Sequence, residues 1–319
     1  MQAWICRRYG GPEVLALEER PVPVPAEDGI LIRLRATTVS SGDARIRAFR
    51  MPRGFGLAGR LALGIAAPRQ PVLGMELSGV VEAVGRRVTA WQPGDGVIAF
   101  PGAGMRCHAE LRALGAGAAV VRKPASLSFA EAASLCFGGT TALHFLRRAG
   151  LKAGERLLVI GAAGAVGSAM VQLARHAGAR VTGVAGPHNL DLLRLLGAEA
   201  VIDHTRQELA AWGGGYDVIA DAVGASSFTA CLPLLAEHGR YLAPAADLPG
   251  MLARPAGTKR SIAGMAPERR EDVEEVVRLA ETGVLRPVID SVHDFARMRE
   301  AHARVDTGRK RGSVVVAFG

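Results

Sequence analysis

The chain has 319 residues, 49% of them hydrophobic and 22% charged, with a formal net charge of +9. That length predicts two domains of ordinary globular composition. No apolar run is long enough to predict a membrane span, and Met1–Gly10 lacks the apolar core of a secretion signal. A cytoplasmic protein without a membrane partner is therefore expected. The basic residues are scattered: the densest run, Arg309-Lys310-Arg311, has no interleaved aromatics, which reads against a nucleic-acid partner but leaves charge for a nucleotide's phosphates. Cys6, Cys107, Cys136 and Cys231 form no C-x-x-C pair, so free thiols are expected rather than a zinc ribbon or a disulfide framework.

Along the chain, short β-rich runs come first, at Ile30–Thr37, Leu77–Val84, Asp95–Ala99 and Ala118–Arg122, bounded by turns such as Gln92-Pro93-Gly94-Asp95. Between them, Met51–Pro71 reads either as a partly helical excursion over a cleft or as a loop. Near residue 125 the texture changes. Helices are predicted at Ser128–Leu135 and Thr140–Ala149, then a strand at Arg156–Ile160, a glycine turn and a helix reaching Arg175–Ala177. Next come a strand at Arg180–Val184, a helix at Asn189–Leu196, and strands at Ala200–Ile202 and Tyr216–Ala220. A helix over Ser227–Ala236, a strand at Arg240–Leu242, helices near Arg269–Thr282 and Asp294–Val305, and a strand at Ser313–Phe318 complete the pattern. Strands alternating with helices predict a parallel sheet covered on both faces.

The turn Gly161-Ala162-Ala163-Gly164-Ala165-Val166-Gly167 sits between a predicted strand and a predicted helix. Aligned to G-x-G-x-x-G it reads Ala162-x-Gly164-x-x-Gly167. Gly164 would let the backbone approach a pyrophosphate, Gly167 would let the helix pack closely on the strand, and the helix N-terminus would face the phosphates. After the second strand the run Val184-Ala185-Gly186-Pro187-His188-Asn189 contains no acid that would bind a ribose 2′-hydroxyl and repel a 2′-phosphate. This favours NADPH and leaves NADH possible. His188, and His204 after the third strand, could reach the 2′-phosphate or could simply be exposed loop histidines.

With these motifs placed, the chain resembles the zinc-independent quinone oxidoreductases of the medium-chain dehydrogenase/reductase superfamily. The likeness rests on Val39-Ser40-Ser41-Gly42-Asp43, Gly74-Met75-Glu76-Leu77-Ser78-Gly79-Val80-Val81, Pro93-Gly94-Asp95, Gly139-Thr140-Thr141-Ala142-Leu143, Gly161–Gly167, Asp217–Gly224, Pro287-Val288-Ile289-Asp290 and Arg311–Val316. It implies an α/β protein: a GroES-like β domain over 1–124, completed by 266–319, and a Rossmann domain with a doubly wound parallel sheet over 125–265. It also implies a homodimer joined through the edges of the Rossmann sheets. The three places where zinc-dependent relatives carry metal ligands fall at Ser40, Met75 and Phe137, none of which is an ordinary zinc ligand.

Without a Lewis acid the chemistry suits an activated acceptor, a quinone or an α,β-unsaturated carbonyl. Ser40 is the candidate donor to the acceptor's oxygen, with a turn-capping role as the alternative. Thr141 resembles the threonine that touches the nicotinamide in relatives, with a helix-start cap as its alternative. Asp43 is expected to brace its loop or to pair with Arg47, and Glu76 to be a structural carboxylate near the cleft floor. The cofactor-binding set is Thr141, Ala162, Ala163, Gly164, Ala165, Val166, Gly167, His188, Asn189, His204, Val223 and Gly224. Phe49, Phe55, Phe100 and Phe137 could line the substrate pocket or belong to the core. A reductase of acyl-thioester double bonds and a non-catalytic nucleotide- or RNA-binding relative stay open as alternatives.

Overall fold

The structure is a computed structural model and describes residues 1–115 and 117–319. In chain order the first part comprises β1 (Gln2–Cys6), β2 (Leu15–Glu19), β3 (Ile30–Val39), α1 (Ser41–Ala48), α2 (Gly56–Leu63), β4 (Leu77–Val84), β5 (Gly96–Ala99), β6 (Leu111–Leu114) and β7 (Val120–Arg122). The middle part comprises α3 (Phe129–Ala133), α4 (Cys136–Ala149), β8 (Arg156–Ile160), α5 (Ala165–His176), β9 (Arg180–Ala185), α6 (Leu190–Leu196) and β10 (Ala200–Asp203). It continues through β11 (Tyr216–Asp221), α7 (Phe228–Cys231), β12 (Leu235–Ala243), α8 (Leu248–Met251) and β13 (Arg260–Ala263). The chain ends with α9 (Arg270–Glu281), β14 (Ile289–Asp294), α10 (Met298–Asp306) and β15 (Ser313–Ala317).

Two sheets organise these elements, beside a separate β1–β2 pair. The first runs β14-β15-β3-β4-β5-β7, with β6 also on β3, so the C-terminal strand β15 lies antiparallel against β3 and returns the tail to the N-terminal part. The second is wholly parallel, in the order β10-β9-β8-β11-β12-β13. Counted from β8, that is the 3-2-1-4-5-6 order of a doubly wound dinucleotide fold, whose order reverses between β8 and β11.

The parallel strands alternate between two cores. Leu157 and Val159 of β8 pack with Phe145, Met170 and Val276 from α4, α5 and α9, while Leu158 and Ile160 pack with Phe228, Leu234 and Tyr241. Both faces are thus covered, and each fully buried Leu or Ile contributes about 1.5–3 kcal/mol. Among the described residues no helix is long and apolar enough to cross a membrane, and all four cysteines are free and buried.

Some boundaries differ from the sequence expectation. Helix α4 starts at Cys136 rather than Thr140, since Glu76 takes the first-turn N–H of Phe137; the Thr140 and Thr141 hydroxyls donate to the Cys136 and Phe137 carbonyls within the helix. Thr141 therefore lies inside the helix and is not its starting cap. The predicted helix over Ser227–Ala236 stops at Cys231, and Leu235 already pairs with Tyr216 of β11. Sheet pairing overrides the local helical pattern there.

Candidate functional site

The reversal between β8 and β11 puts two loops side by side. Gly161, at the end of β8, has φ +73°, and a Cβ there would stand 2.5 Å from a methyl group of Val223 in the loop after β11. Helix α5 begins next, with Gly164 as its N-cap and no side chain capping it. The first-turn N–H groups of Ala165, Val166 and Gly167 have no acceptor within the helix and point outward. A Cβ on Gly167 would lie 2.3 Å from the Gly161 carbonyl oxygen, so the helix sits directly on the turn. A Cβ on Gly164 would meet only that same oxygen, at 3.5 Å, leaving the space in front of the helix open. Gly138 of α4 closes the back of the turn, since a Cβ there would lie 2.4 Å from the Ala165 carbonyl. An uncapped helix N-terminus with open space ahead of it suits a phosphate group.

The loop after β11 is built by a residue that the sequence reading quoted only within a motif. Asp221 is buried, and its carboxylate accepts the N–H groups of Val223, Gly224, Ala225 and Ser226 at 2.7–3.2 Å and the Tyr241 hydroxyl at 3.1 Å. Burial, with this carboxylate alongside, pushes the Tyr241 hydroxyl far up and keeps it a donor. The strand-end position of an acid followed by Gly was the available signal.

His188 lies in the turn after β9 and His204 immediately after β10. Asp203 pairs with Ala185 across the sheet, and a Cβ on Gly186 would stand 3.8 Å from the His204 imidazole. The two histidines and Asn189 thus border neighbouring strand ends. Asp203 is not a free acid there: its carboxylate accepts the Thr205 N–H and hydroxyl at 2.9 and 2.7 Å. Arg206, missed in the sequence, lies three residues beyond β10, is exposed, and approaches Asp203 only at 3.6 Å.

Across the cleft, Ser40 caps α1. Its hydroxyl donates to Asp43 at 2.6 Å and accepts the Asp43 N–H at 3.1 Å. Asp43 also accepts the Ser40 and Gly74 N–H groups, both at 2.8 Å, so it braces the loop; Arg47 pairs with Asp306 instead. The Met75 sulfur lies 3.8 Å from the Ser40 hydroxyl. Glu76 accepts the Thr38 hydroxyl at 2.6 Å and, from the other part of the chain, the Phe137 N–H at 2.7 Å. Complete burial pushes its carboxyl up to about 7. Ser40, Met75 and Phe137 thus gather at one place as a hydroxyl, a thioether and an aromatic ring, a donor set unfit for zinc. No cluster of three or more His, Cys, Asp or Glu able to hold a metal exists among the described residues. Burial beside Glu76 keeps the Cys136 thiol protonated.

Thr141 is half-buried one turn along α4. Its proton goes to Phe137, so its lone pairs remain to accept an amide N–H. Of the phenylalanines, Phe100 is buried, while Phe49 packs against Tyr9 and carries the Arg60 guanidinium over its ring. The Met51–Pro71 excursion carries α2 and bridges to the parallel-sheet side, where the Leu248 N–H donates to the Arg53 carbonyl at 3.0 Å.

Comparison with known proteins agrees with this architecture. The family model for an alcohol dehydrogenase GroES-like domain matches residues 26–143, and that for a zinc-binding dehydrogenase matches residues 196–316. The 2-methylene-furan-3-one reductase of Solanum lycopersicum is 30% identical, over 99% of this chain and 79% of its own. The quinone oxidoreductase of Lama guanicoe is 32% identical, over 95% of this chain and 92% of its own. The solved quinone oxidoreductase from Coxiella burnetii superposes with a TM-score of 0.85 at 26% identity, covering 99% of both chains. Fold and site together define a two-domain oxidoreductase with a nucleotide-cofactor sheet and a cleft floor that lacks the zinc ligands. The chain belongs to the zinc-independent quinone oxidoreductase family of the medium-chain dehydrogenase/reductase superfamily.

Proposed function

We propose that the protein is a metal-free, NADPH-dependent reductase of quinones and α,β-unsaturated carbonyls, with NADH as a weaker cofactor. The observation that carries this reading is the open N-terminus of α5 at the β8–β11 reversal, in a molecule whose Ser40, Met75 and Phe137 supply a hydroxyl, a thioether and an aromatic ring in place of zinc ligands. When bound, the cofactor supplies hydride from its nicotinamide ring. Ala162, Ala163, Gly164, Ala165, Val166 and Gly167 form the cradle for its pyrophosphate. Val223 and Gly224, held by Asp221, form the wall beside it. Thr141 orients the carboxamide by accepting its N–H. His188, Asn189 and His204 border the adenosine ribose, and the missing acid after β9 admits a 2′-phosphate.

On the substrate side, a conjugated acceptor spreads the incoming charge onto its oxygen, so the protein has only to position that oxygen and donate to it. Ser40 is the donor in this reading, and its O–H turns from Asp43 to the substrate when the cleft fills. Residues 125–265 form the cofactor-binding unit, and 1–124 with 266–319 form the substrate-facing unit. β13 is an edge of the parallel sheet, flanked by exposed Leu252 and Met265, and is the surface through which two copies would pair.

The test is NADPH oxidation against a panel of quinones and enones. Turnover with members of both classes supports the reading. No turnover with any acceptor, together with tight RNA binding that weakens steeply with salt, would refute it.

A further inference from the structure

The turn before β15 reaches back to the glycine turn. The Gly312 N–H donates to the Ala163 carbonyl at 2.7 Å, and Gly312 pairs with Gly164 as an isolated parallel bridge. The Lys310 ammonium lies on the same turn and donates to the Gly312 carbonyl at 2.5 Å. One backbone carbonyl is the only acceptor it has among the described residues, where an ammonium has three protons to give.

Among the described residues no carboxylate forms an ion pair with it. Asp290, a carboxylate near enough to act on Lys310, is fully engaged: Arg304 grips both oxygens at 2.6 and 2.7 Å, and the Arg311 N–H adds a bond at 2.7 Å. Glu76, the other carboxylate that acts on Lys310, is committed to Thr38 and Phe137, and the Arg304 guanidinium repels the Lys310 ammonium. Burial dominates these influences and pushes the ammonium down to about 8. This half-buried ammonium, with one carbonyl acceptor and no carboxylate of its own, has protons and charge left for an anion at the glycine turn.

We infer that Lys310 is a cofactor-affinity residue, whose ammonium neutralises the pyrophosphate held at the N-terminus of α5. The inference rests on the nucleotide reading of the glycine turn and adds a charge to it from the far end of the chain. Amide dipoles alone would make a weak anion site at physiological salt; a half-buried ammonium beside them strengthens it. It also couples the two halves of the molecule, because the turn carrying Lys310 leads into a strand of the other sheet.

The test compares two probes by calorimetric titration: ADP-ribose, which contains the pyrophosphate, and 2′-AMP, which occupies only the adenosine end. In Lys310→Met the ADP-ribose affinity is expected to fall about 10- to 100-fold while 2′-AMP binds as in the parent. Lys310→Arg restores most of the ADP-ribose affinity. Lys310→Gln, which keeps a polar donor side chain without the charge, should show the same selective loss, which covers the case in which Lys310→Met does not fold. Unchanged ADP-ribose binding, or equal loss of both probes, overturns the role of Lys310 and leaves the nucleotide reading standing. Failure of the parent protein to bind either probe overturns the nucleotide reading, and the Lys310 inference with it.

Discussion

Glu76 and Phe137 join the two halves of the molecule through one hydrogen bond: the Glu76 carboxylate, on the β-sheet side, accepts the second-residue N–H of α4 at 2.7 Å. The helix has no side-chain cap of its own, so this distant carboxylate supplies it. Folded, the carboxyl keeps its proton up to about pH 7; unfolded, it releases it near 4.5. The unfolded chain therefore gains with every rise in pH across that window, and this group's contribution to stability falls by up to about 3 kcal/mol before levelling above neutrality. Glu76→Gln keeps an acceptor for Phe137 and removes the titration. Denaturant unfolding of both proteins from pH 4.5 to 8 should show the difference between variant and parent moving toward the variant as pH rises to 7, then staying flat. A difference that does not change with pH would show that Glu76 is ionised throughout.

The two later glycines of the turn should separate binding from folding. Gly164 has an ordinary φ of −75° and open space where a side chain would go, so Gly164→Val should fold and melt close to the parent. The added methyls project into the space in front of α5, and cofactor affinity should fall at least about tenfold. Gly167→Ala drives a methyl to 2.3 Å from the Gly161 carbonyl and should destabilise the fold by about 1–3 kcal/mol. Undiminished NADPH affinity in Gly164→Val, read by fluorescence titration, would place the pyrophosphate elsewhere.

Ser40→Ala tests the donor against the cap. The lost cap on α1 costs about 1 kcal/mol of stability in either case. If the hydroxyl also meets the substrate oxygen, kcat/KM falls by about 10²-fold with kcat carrying most of the loss. A melting shift with unchanged kcat would leave Ser40 as a cap alone.

Asp221 holds four loop N–H groups and the buried Tyr241 hydroxyl, so Asp221→Ala removes the acceptor of five donors at once. A loss of about 3 kcal/mol or more is expected. Asp221→Asn keeps one acceptor oxygen and should cost roughly half as much. Chemical denaturation gives both numbers. Equal, small effects would mean that the loop after β11 is held by something other than this carboxylate.

What the sequence made legible follows the range of the interactions. The turn at Gly161–Gly167 and strands β8 and β11 depend on local glycine placement and continuous apolar runs, and both are visible in single segments. The start of α4 was misplaced by four residues because its cap comes from Glu76, 61 residues earlier. The helix predicted over Ser227–Ala236 is cut short because Leu235 is claimed by β11. β13, Arg260–Ala263, is a four-residue edge strand whose only signal is its partner. At the site, Asp221 at the end of β11 is quoted within its motif but given no task, since its partners become apparent only once the loop has curled around it. Lys310 read as one member of a surface basic run, and only the return of β15 brings its turn against the glycine turn.

Cofactor preference is the feature that the strand ends leave most exposed to experiment. Gly186 stands where an acid would repel a 2′-phosphate. Its φ of −73° suits any residue, and a Cβ there makes only ordinary contact with His204. Gly186→Asp should therefore fold normally, lower kcat/KM for NADPH by about tenfold or more, and leave NADH unchanged or improved. His204→Gln should weaken NADPH alone, by a smaller factor, because the imidazole is one of several groups at this corner and Arg206 remains nearby. The two substitutions act on the same phosphate, so their effects on the NADPH-to-NADH ratio should fall short of additive when combined. A ratio that moves with neither substitution would mean that the adenosine ribose does not lie at the ends of β9 and β10. The preference would then have to come from a part of the chain that contributes nothing to this corner.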